Sequence, residues 1–218
     1  MSARKGYKGL PMEGFLARWY ARNTARAMKE YEQAALDLAG KLRSGDSVLE
    51  VAPGPGYLAI ALAKLGQYRI VGLDISRSFV GIATENARQA GVQVTFRQGD
   101  AASMPFEADS FDFLICRAAF KNFTEPVQAL IEMHRVLRPG GRALIIDLRS
   151  DASAEAIDAH VKGMGLSRIN SFLTKFILKR LRKRAYSQEQ FRQMASRTPF
   201  KMCMIREEQI GLEVSLAK

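Results

Sequence analysis

Between residues 47 and 148, short apolar runs typical of β-strands alternate with helix-like runs. Strands are predicted at Ser47–Val51, Tyr68–Leu73, Gln93–Arg97, Phe111–Cys116 and Arg142–Leu148, and helices at Leu58–Leu65, Ser78–Ala90 and Pro126–Leu137. Strands and helices that alternate in this way form a parallel sheet with helices on both faces. The pattern therefore predicts an α/β fold, and such folds bind ligands beyond the carboxyl ends of their strands.

The connection after the first predicted strand is the most specific local motif. Glu50 lies near the end of that strand, and a loop of glycine and proline follows, Ala52-Pro53-Gly54-Pro55-Gly56. The spacing also fits a dinucleotide fingerprint. However, the two prolines each remove a backbone N–H that a pyrophosphate would need, and Glu50 would bring a carboxylate close to a dianion. A cationic ligand with a ribose and no phosphate, such as S-adenosylmethionine (SAM), fits this loop better.

Three carboxylates follow the first three predicted strands. Glu50 ends the first strand, Asp74 the second, and Asp100 follows the third. Asp74 offers two oxygens to a ribose diol, Asp100 offers an acceptor to an adenine amino group, and Glu50 offers a negative charge to the methionine end. Each acid alone could equally be a helix cap or a turn residue. Their shared position at one sheet edge favours a ligand site.

Together these motifs resemble the class I SAM-dependent methyltransferases, in the broad small-molecule group that includes the quinone-biosynthesis C-methyltransferases. The matching segments are Leu49–Gly56, Asp74, Gly99–Ala101, Phe111–Arg117 and Arg135–Gly141. They cover roughly residues 45–150 and, in outline, the final hairpin. Ala52 stands where the family often has glycine, but it keeps the small size. The resemblance implies a Rossmann-like three-layer sandwich with a seven-stranded, mostly parallel sheet whose last strand is antiparallel.

The resemblance also implies which residues contact SAM. The small residues of the loop let the backbone approach the methionine portion, Ile75 packs on adenine, and Arg117 lies beside the methionine end. Tyr20 would close over the cofactor from the N-terminal helix. The predicted cofactor-binding residues are Glu50, Ala52, Gly54, Gly56, Asp74, Ile75, Asp100, Ala101, Arg117 and Tyr20.

The acceptor side of the site is predicted in the loop after the fourth strand. Phe120, Lys121 and Asn122 are the candidate pocket residues, although the phenylalanine could equally belong to the core. The loop lacks the Asn/Asp-Pro-Pro-aromatic motif that is common in methyltransferases acting on base amino groups. Neither His134 nor His160 has an evident partner, so no catalytic residue is named. Cys116 and Cys203 lack metal-type spacing, so no metal is predicted.

The rest of the chain is assigned around this core as a single domain of 218 residues. Residues 1–45 are predicted to form a helical cap, 46–150 the SAM-binding core, 151–187 a basic helical insert, and 188–218 a helix followed by a β-hairpin. Phe200–Arg206 and Ile210–Leu216 read as two strands. Because only three residues join them, an antiparallel hairpin is predicted. No signal peptide or membrane span is evident, and the cysteine content fits a reducing compartment, so a cytoplasmic protein is expected.

The net charge of +11 is concentrated in two segments. Residues 1–29 hold seven basic residues and one acid, and residues 160–188 hold eight basic residues and no acid. Residues 168–184 read as an amphipathic basic helix. This helix could pack its apolar side on the domain as a lid, contact an anionic membrane surface, or do both. Nucleic acid is the less favoured partner, because no recognised RNA module is present.

The leading hypothesis is a SAM-dependent methyltransferase that acts on a small organic acceptor, anionic or lipophilic. An RNA methyltransferase is an alternative, since two segments are strongly basic. A non-catalytic SAM-binding or membrane-peripheral protein is the other alternative, since no general base is evident. The sequence identifies neither the acceptor atom nor the oligomeric state.

Overall fold

In the computed structural model, which describes residues 6–9, 11–66 and 68–218, the strands form one mixed sheet. The strands are β1 Ser47–Val51, β2 Arg69–Asp74, β3 Thr95–Gln98, β4 Phe111–Arg117, β5 Leu137–Leu148, β6 Met202–Glu207 and β7 Gly211–Ala217. Their order across the sheet is β3-β2-β1-β4-β5-β7-β6, and only β7 runs antiparallel to its neighbours. The predicted fold class is confirmed, including the antiparallel last strand and the hairpin.

Helices cover both faces of the sheet. They are α1 Gly14–Thr24, α2 Met28–Ala39, α3 Tyr57–Leu65, α4 Arg77–Gln89, α5 Pro126–Val136, α6 Ala154–Gly163, α7 Arg168–Arg182 and α8 Gln188–Ala195. One apolar core lies between the sheet and α2 with α3, and the other lies between the sheet and α5 with α8. Alternate residues of each central strand enter opposite cores, as the pleat requires. The result is a three-layer sandwich.

The main difference from the predicted elements is at β5. This strand begins at Leu137, which pairs with Phe111, and the turn residues Pro139-Gly140-Gly141 fall inside it. The register shifts between Phe111 and Phe113, so the strand pairs briefly, bulges at the turn and then pairs again from Arg142. Pro139-Gly140-Gly141 therefore follows the end of helix α5 and also forms a bulge within β5. Sequence spacing alone does not distinguish a turn from a bulge at these residues.

The basic insert projects from the carboxyl edge of the sheet. It leaves the sheet after β5 and returns where Arg149 pairs with Tyr186 in an isolated bridge. Helix α7 packs mainly against α6, and none of its residues is buried. Its apolar row stays exposed, for example Ile169 at 75% and Phe172 at 71%. The alternative in which this row packs on the domain is therefore wrong, because its apolar side chains stay largely exposed.

A buried ion pair joins the loop after β4 to the end of β5. Nζ of Lys121 lies 2.7 Å from Oδ1 of Asp147, and both side chains are 5% exposed. The same carboxylate accepts hydrogen bonds from the backbone N–H groups of Lys121 and Leu148. Nζ of Lys121 also donates to the carbonyl of Ala118. These contacts fix the conformation of the loop that follows β4.

Removing one partner of this pair should destabilise the protein strongly. Asp147→Ala leaves the buried ammonium of Lys121 without its carboxylate, and we expect the free energy of unfolding to fall by about 3–5 kcal/mol. Urea denaturation followed by circular dichroism measures the change. The matched variant Lys121→Met with Asp147→Asn removes both charges and keeps a carbonyl acceptor, so it should recover at least half of the loss. A single variant as stable as the wild type would contradict this role.

Candidate cofactor site

The register of the sheet brings three of the predicted residues together. Glu50 pairs with Gly72 of β2 and with Ile115 of β4, so all three point to the same face. Asp74 lies two residues after Gly72, and Arg117 lies two residues after Ile115. Both side chains therefore lie on that same face, nearer the carboxyl edge. Strand pairing alone thus clusters two carboxylates and a guanidinium at the edge.

The loop after β1 is shaped by residues with positive φ. Gly54 has φ 55° and Gly56 has φ 80°, and a Cβ at Gly56 would lie 2.7 Å from the ring of Phe96. Ala52 adopts φ 58°, a conformation that favours glycine. The departure from the family's usual glycine therefore costs about 1 kcal/mol of backbone strain, yet the fold of the loop is kept.

Asp74 ties this loop to the next helix. Its Oδ2 accepts a hydrogen bond from the backbone N–H of Gly54 at 2.9 Å, and its Oδ1 accepts one from Ser76 at 2.9 Å. Burial raises the pKa of Asp74 to about 6, against the lowering effect of these two hydrogen bonds. Each oxygen keeps a further lone pair. The carboxylate can therefore accept from a diol while it holds the loop.

Glu50 is the most unusual group of the site. It is 4% exposed, and its Oε2 has no hydrogen-bond partner among the described residues. Burial raises its pKa to about 8, although the positive charge of Arg117 acts in the opposite direction. A buried carboxyl oxygen without a donor is costly unless a ligand supplies one. The ammonium of SAM is such a donor, so the residue fits the methionine end of that cofactor.

Two tyrosines surround Arg117 on this face. The guanidinium lies 5.3 Å from the ring centroid of Tyr31, at cation–π distance. Tyr20 of α1 packs edge-on against Phe79 of α4, with ring centroids 5.7 Å apart. Burial raises the pKa of Tyr20, and the charges of Arg117 and Asp74 both act on its hydroxyl. Tyr20 thus lies near the cluster. Tyr31 was missed because its spacing reads simply as a core position of α2.

The adenine-side residues lie beside a short N-terminal segment, which we call the strap (residues 6–9). A Cβ on Gly6 would collide with the carboxylate of Asp100 and with the side chain of Ile75. Asp100 also accepts a hydrogen bond from the backbone N–H of Ala102, whereas Ala101 is buried. Ile75 is partly exposed. The backbone of the strap therefore passes directly over the residues predicted to hold adenine.

The strap is held by the loop after β4 and by the end of the basic insert. Tyr7 pairs with Phe123 in an antiparallel bridge, and Lys8 N–H donates to the carbonyl of Asn122. Nζ of Lys8 donates to the hydroxyl of Tyr186 at 2.7 Å, and Arg184 donates to the carbonyl of Lys8 at 2.9 Å. The composition of residues 6–9 gave no signal for this contact, since it depends on distant parts of the chain.

The predicted acceptor residues have different surroundings. Phe120 is fully buried and packs on Phe191 and Tyr186, so it belongs to the core. Lys121 is engaged by Asp147, as described above. Asn122 is buried, and its Oδ1 has no hydrogen-bond partner within the described residues. Only the last of the three offers an unengaged polar atom to an acceptor.

The remaining groups considered from the sequence are one histidine and the two cysteines. His134 packs edge-on against Phe200, and burial lowers its pKa. Cys116 in β4 and Cys203 in β6 are both free thiols. Among residues 6–9, 11–66 and 68–218, no group of His, Cys, Asp and Glu could hold a metal ion.

Comparisons with known proteins agree with this site. Residues 49–145 match the family model described as a methyltransferase domain. The demethylmenaquinone methyltransferase of Deinococcus radiodurans is 38% identical over 107 residues, which cover 49% of this chain and 44% of that protein. The ubiquinone/menaquinone biosynthesis C-methyltransferase UbiE of Bdellovibrio bacteriovorus is 35% identical over 106 residues, 48% of this chain and 45% of that protein. The chain thus spans about half the length of the curated relatives it matches.

Solved structures share the fold across more of the chain. A structure from Methanococcus maripaludis, assigned provisionally to the SAM-dependent methyltransferases, has a TM-score of 0.78 and 22% identity, covering 100% of this chain and 97% of that one. A SAM-dependent methyltransferase from Aquifex aeolicus has a TM-score of 0.66 and 17% identity, covering 84% and 88%.

Residues 49–145 are thus similar to a methyltransferase domain, and the chain shares its fold with solved SAM-dependent methyltransferases. Its sequence relatives include proteins named for the methylation of quinones.

The raised pKa of Glu50 predicts a specific dependence of stability on pH. In the folded protein this carboxyl holds its proton up to about pH 8, whereas its ordinary value is 4.5. The folded state therefore binds more protons between these values, so its stability falls as the pH rises through this window. Glu50→Gln should remove the pH-dependent contribution of this carboxyl to stability. The ratio of the unfolding equilibrium constants, wild type over variant, should therefore rise by up to about tenfold per pH unit.

Urea titrations of both proteins at several values between pH 5 and pH 8 measure this difference. Asp74 also titrates in this range and raises the pKa of Glu50, so the same comparison in an Asp74→Asn background removes its contribution. A stability difference that stays constant with pH would show that the carboxyl is ionised throughout.

Proposed function

We propose that this protein transfers a methyl group from SAM to a small, lipophilic organic acceptor of the quinone-precursor kind. The observation that carries the proposal is the buried carboxyl of Glu50 beside Asp74, at the edge of a Gly/Pro loop; its Oε2 has no hydrogen-bond partner among the described residues. A carboxyl in this setting suits a cationic ligand and disfavours a pyrophosphate. The quinone-methylating names of two relatives support the acceptor class.

The residues would divide the cofactor between them. Asp74 would accept from the ribose hydroxyls, Asp100 from the adenine amino group, and Ile75 would pack on the ring. Glu50 would face the ammonium, and the backbone at Gly54 and Gly56 would lie against the methionine chain. When bound, SAM supplies an electrophilic methyl group on a sulfonium.

The protein's own contribution to the reaction would be alignment and exclusion of water. Arg117 and Tyr31 form a cation–π pair on the face where the methionine end would lie. Asn122 offers a free carbonyl oxygen that could orient a hydroxyl of the acceptor. The strap would close the adenine side. An in-line displacement held in this way gains its rate mainly from positioning, so the proposal needs no dedicated base.

Incubation with tritiated SAM tests the proposal. We expect label in the organic-extractable fraction of a cell lysate and none in purified total RNA. Asp74→Asn should weaken SAM binding by about 10- to 100-fold, because a charged acceptor of the diol is lost. Calorimetry measures the affinity.

Asp112→Asn is the matched control, since Asp112 also accepts a backbone N–H, from Ser47, but at the opposite edge of the sheet. Its affinity for SAM should stay within about twofold of the wild type. Label in RNA would support the alternative RNA methyltransferase. SAM binding without label in any fraction would support a non-catalytic SAM-binding protein.

We further propose that α7 contacts an anionic membrane surface. No helix in the described parts of the chain is long and apolar enough to cross a membrane. Helix α7 instead combines an exposed apolar row with Lys179, Arg180 and Arg182 in its last turn. Such a helix suits the interface between headgroups and acyl chains, where a lipophilic acceptor would be found.

Neutralising α7 should weaken vesicle binding. The variant Lys179→Gln, Arg180→Gln, Lys183→Gln should lower partitioning onto phosphatidylserine-containing vesicles roughly 100-fold, at about 1 kcal/mol per charge. Cosedimentation measures the partitioning. The control Lys64→Gln, Arg197→Gln, Lys201→Gln removes three exposed charges from the opposite edge and should change it less than threefold. Equal losses of vesicle binding in both triple variants would show that the net charge of the protein, and not α7, determines the binding.

A further inference from the structure

Helix α1 presents a second exposed stripe of aromatic and basic residues. Phe15, Arg18, Trp19 and Arg22 recur at positions three and four apart and therefore share one face. Phe15 is 75% exposed and Trp19 is 51% exposed. The opposite face of α1 is docked through Ala17 and Ala21, both buried. The aromatic stripe therefore has no role in holding the helix on the domain.

Helix α1 is anchored at the carboxyl edge of the sheet. The carboxylate of Glu13 accepts hydrogen bonds from the backbone N–H groups of Arg77 and Ser78, at the start of α4. The N–H of Gly14 donates to the hydroxyl of Ser78, and the hydroxyl of Tyr57 donates to the carbonyl of Ala21. The one acid of the N-terminal basic segment is thus engaged internally.

The strap links α1 to the end of the basic insert. Lys8 contacts both Arg184 and Tyr186, which lie just after α7. From Gly9 to Gly14 the chain has five steps, which span at most about 18 Å. The start of α1 and the end of α7 therefore lie on the same side of the molecule, at the edge that contains the site. The two exposed stripes therefore both begin at this edge.

We propose that Phe15 and Trp19 form a second membrane anchor, which acts with α7 on the same anionic bilayer. This inference rests on the proposed contact of α7 with a membrane. Two anchors on either side of the strap would orient the carboxyl edge, and with it the mouth of the site, toward the lipid. The acceptor would then enter from the bilayer without crossing water.

The chemistry of the stripe favours a bilayer as the occupant. Tryptophan and phenylalanine next to arginine suit the headgroup region, where the rings are half immersed and the guanidinium groups meet lipid phosphates. Both basic segments carry the same sign of charge, so they repel a second copy of this surface. A protein partner would have to be acidic and apolar over both stripes, whereas an anionic bilayer has both properties everywhere.

The protein contains a single tryptophan, so Trp19 reports on its own environment. We expect its emission to shift to shorter wavelength on addition of phosphatidylserine-containing vesicles, with little change for phosphatidylcholine alone. Lipids brominated along the acyl chain should quench it. Phe15→Ala should lower partitioning by about fivefold, whereas Leu36→Ala, an exposed apolar residue of α2, should leave it unchanged.

Two outcomes would overturn the inference. If vesicles bind in cosedimentation but Trp19 is neither shifted nor quenched, docking occurs through α7 alone, and the proposed contact of α7 stands without the second anchor. If Trp19 shifts with an oligonucleotide and not with vesicles, the stripe serves nucleic acid instead. Failure of cosedimentation for the wild type would remove the membrane contact of α7 and this inference together, while the methyl-transfer assay stays independent of both.

Discussion

The site depends on one carboxylate that acts as a structural joint. Asp74 stands at the end of β2 and accepts hydrogen bonds from Gly54 in the loop after β1 and from Ser76 at the start of α4. Both partners are backbone groups, so the joint fixes the path of the main chain at two connections. The loop can then keep its positive-φ residues, including the strained Ala52, because the surrounding contacts over-determine its conformation.

The electrostatics follow from where these acids are placed. Glu50 and Asp74 lie on the same face of adjacent strands and are both buried, which raises both pKa values. The positive charge of Arg117 lowers the pKa of Glu50 but does not outweigh its burial. Two destabilised carboxyl groups make a site that favours a cation. The same arrangement suits a ligand without a phosphate. Such a ligand does not need the backbone N–H groups that the two prolines of the loop lack.

The sequence predicted those features that arise from local pattern and strand order. Alternation located every central strand within about two residues except β5, and strand pairing brings Glu50, Asp74 and Arg117 to one face. It could not predict contacts between distant segments. Lys121 was predicted as a polar pocket residue because the sequence does not indicate its pairing with Asp147. The strap was not predicted because its hydrogen-bond partners lie more than a hundred residues away in the chain.

The uneven charge of the chain acquires a physical meaning from this geometry. The candidate site contains three acids, whereas the N-terminal segment and the insert near it are basic and expose aromatic and aliphatic side chains. A basic rim would attract an anionic surface, and the acids behind it would attract a cationic cofactor, so the two ligands need not compete for the same groups. The strap lies between these regions, over Asp100 and against Tyr186. Lys8 therefore connects the end of the insert directly to the segment that lies over Asp100.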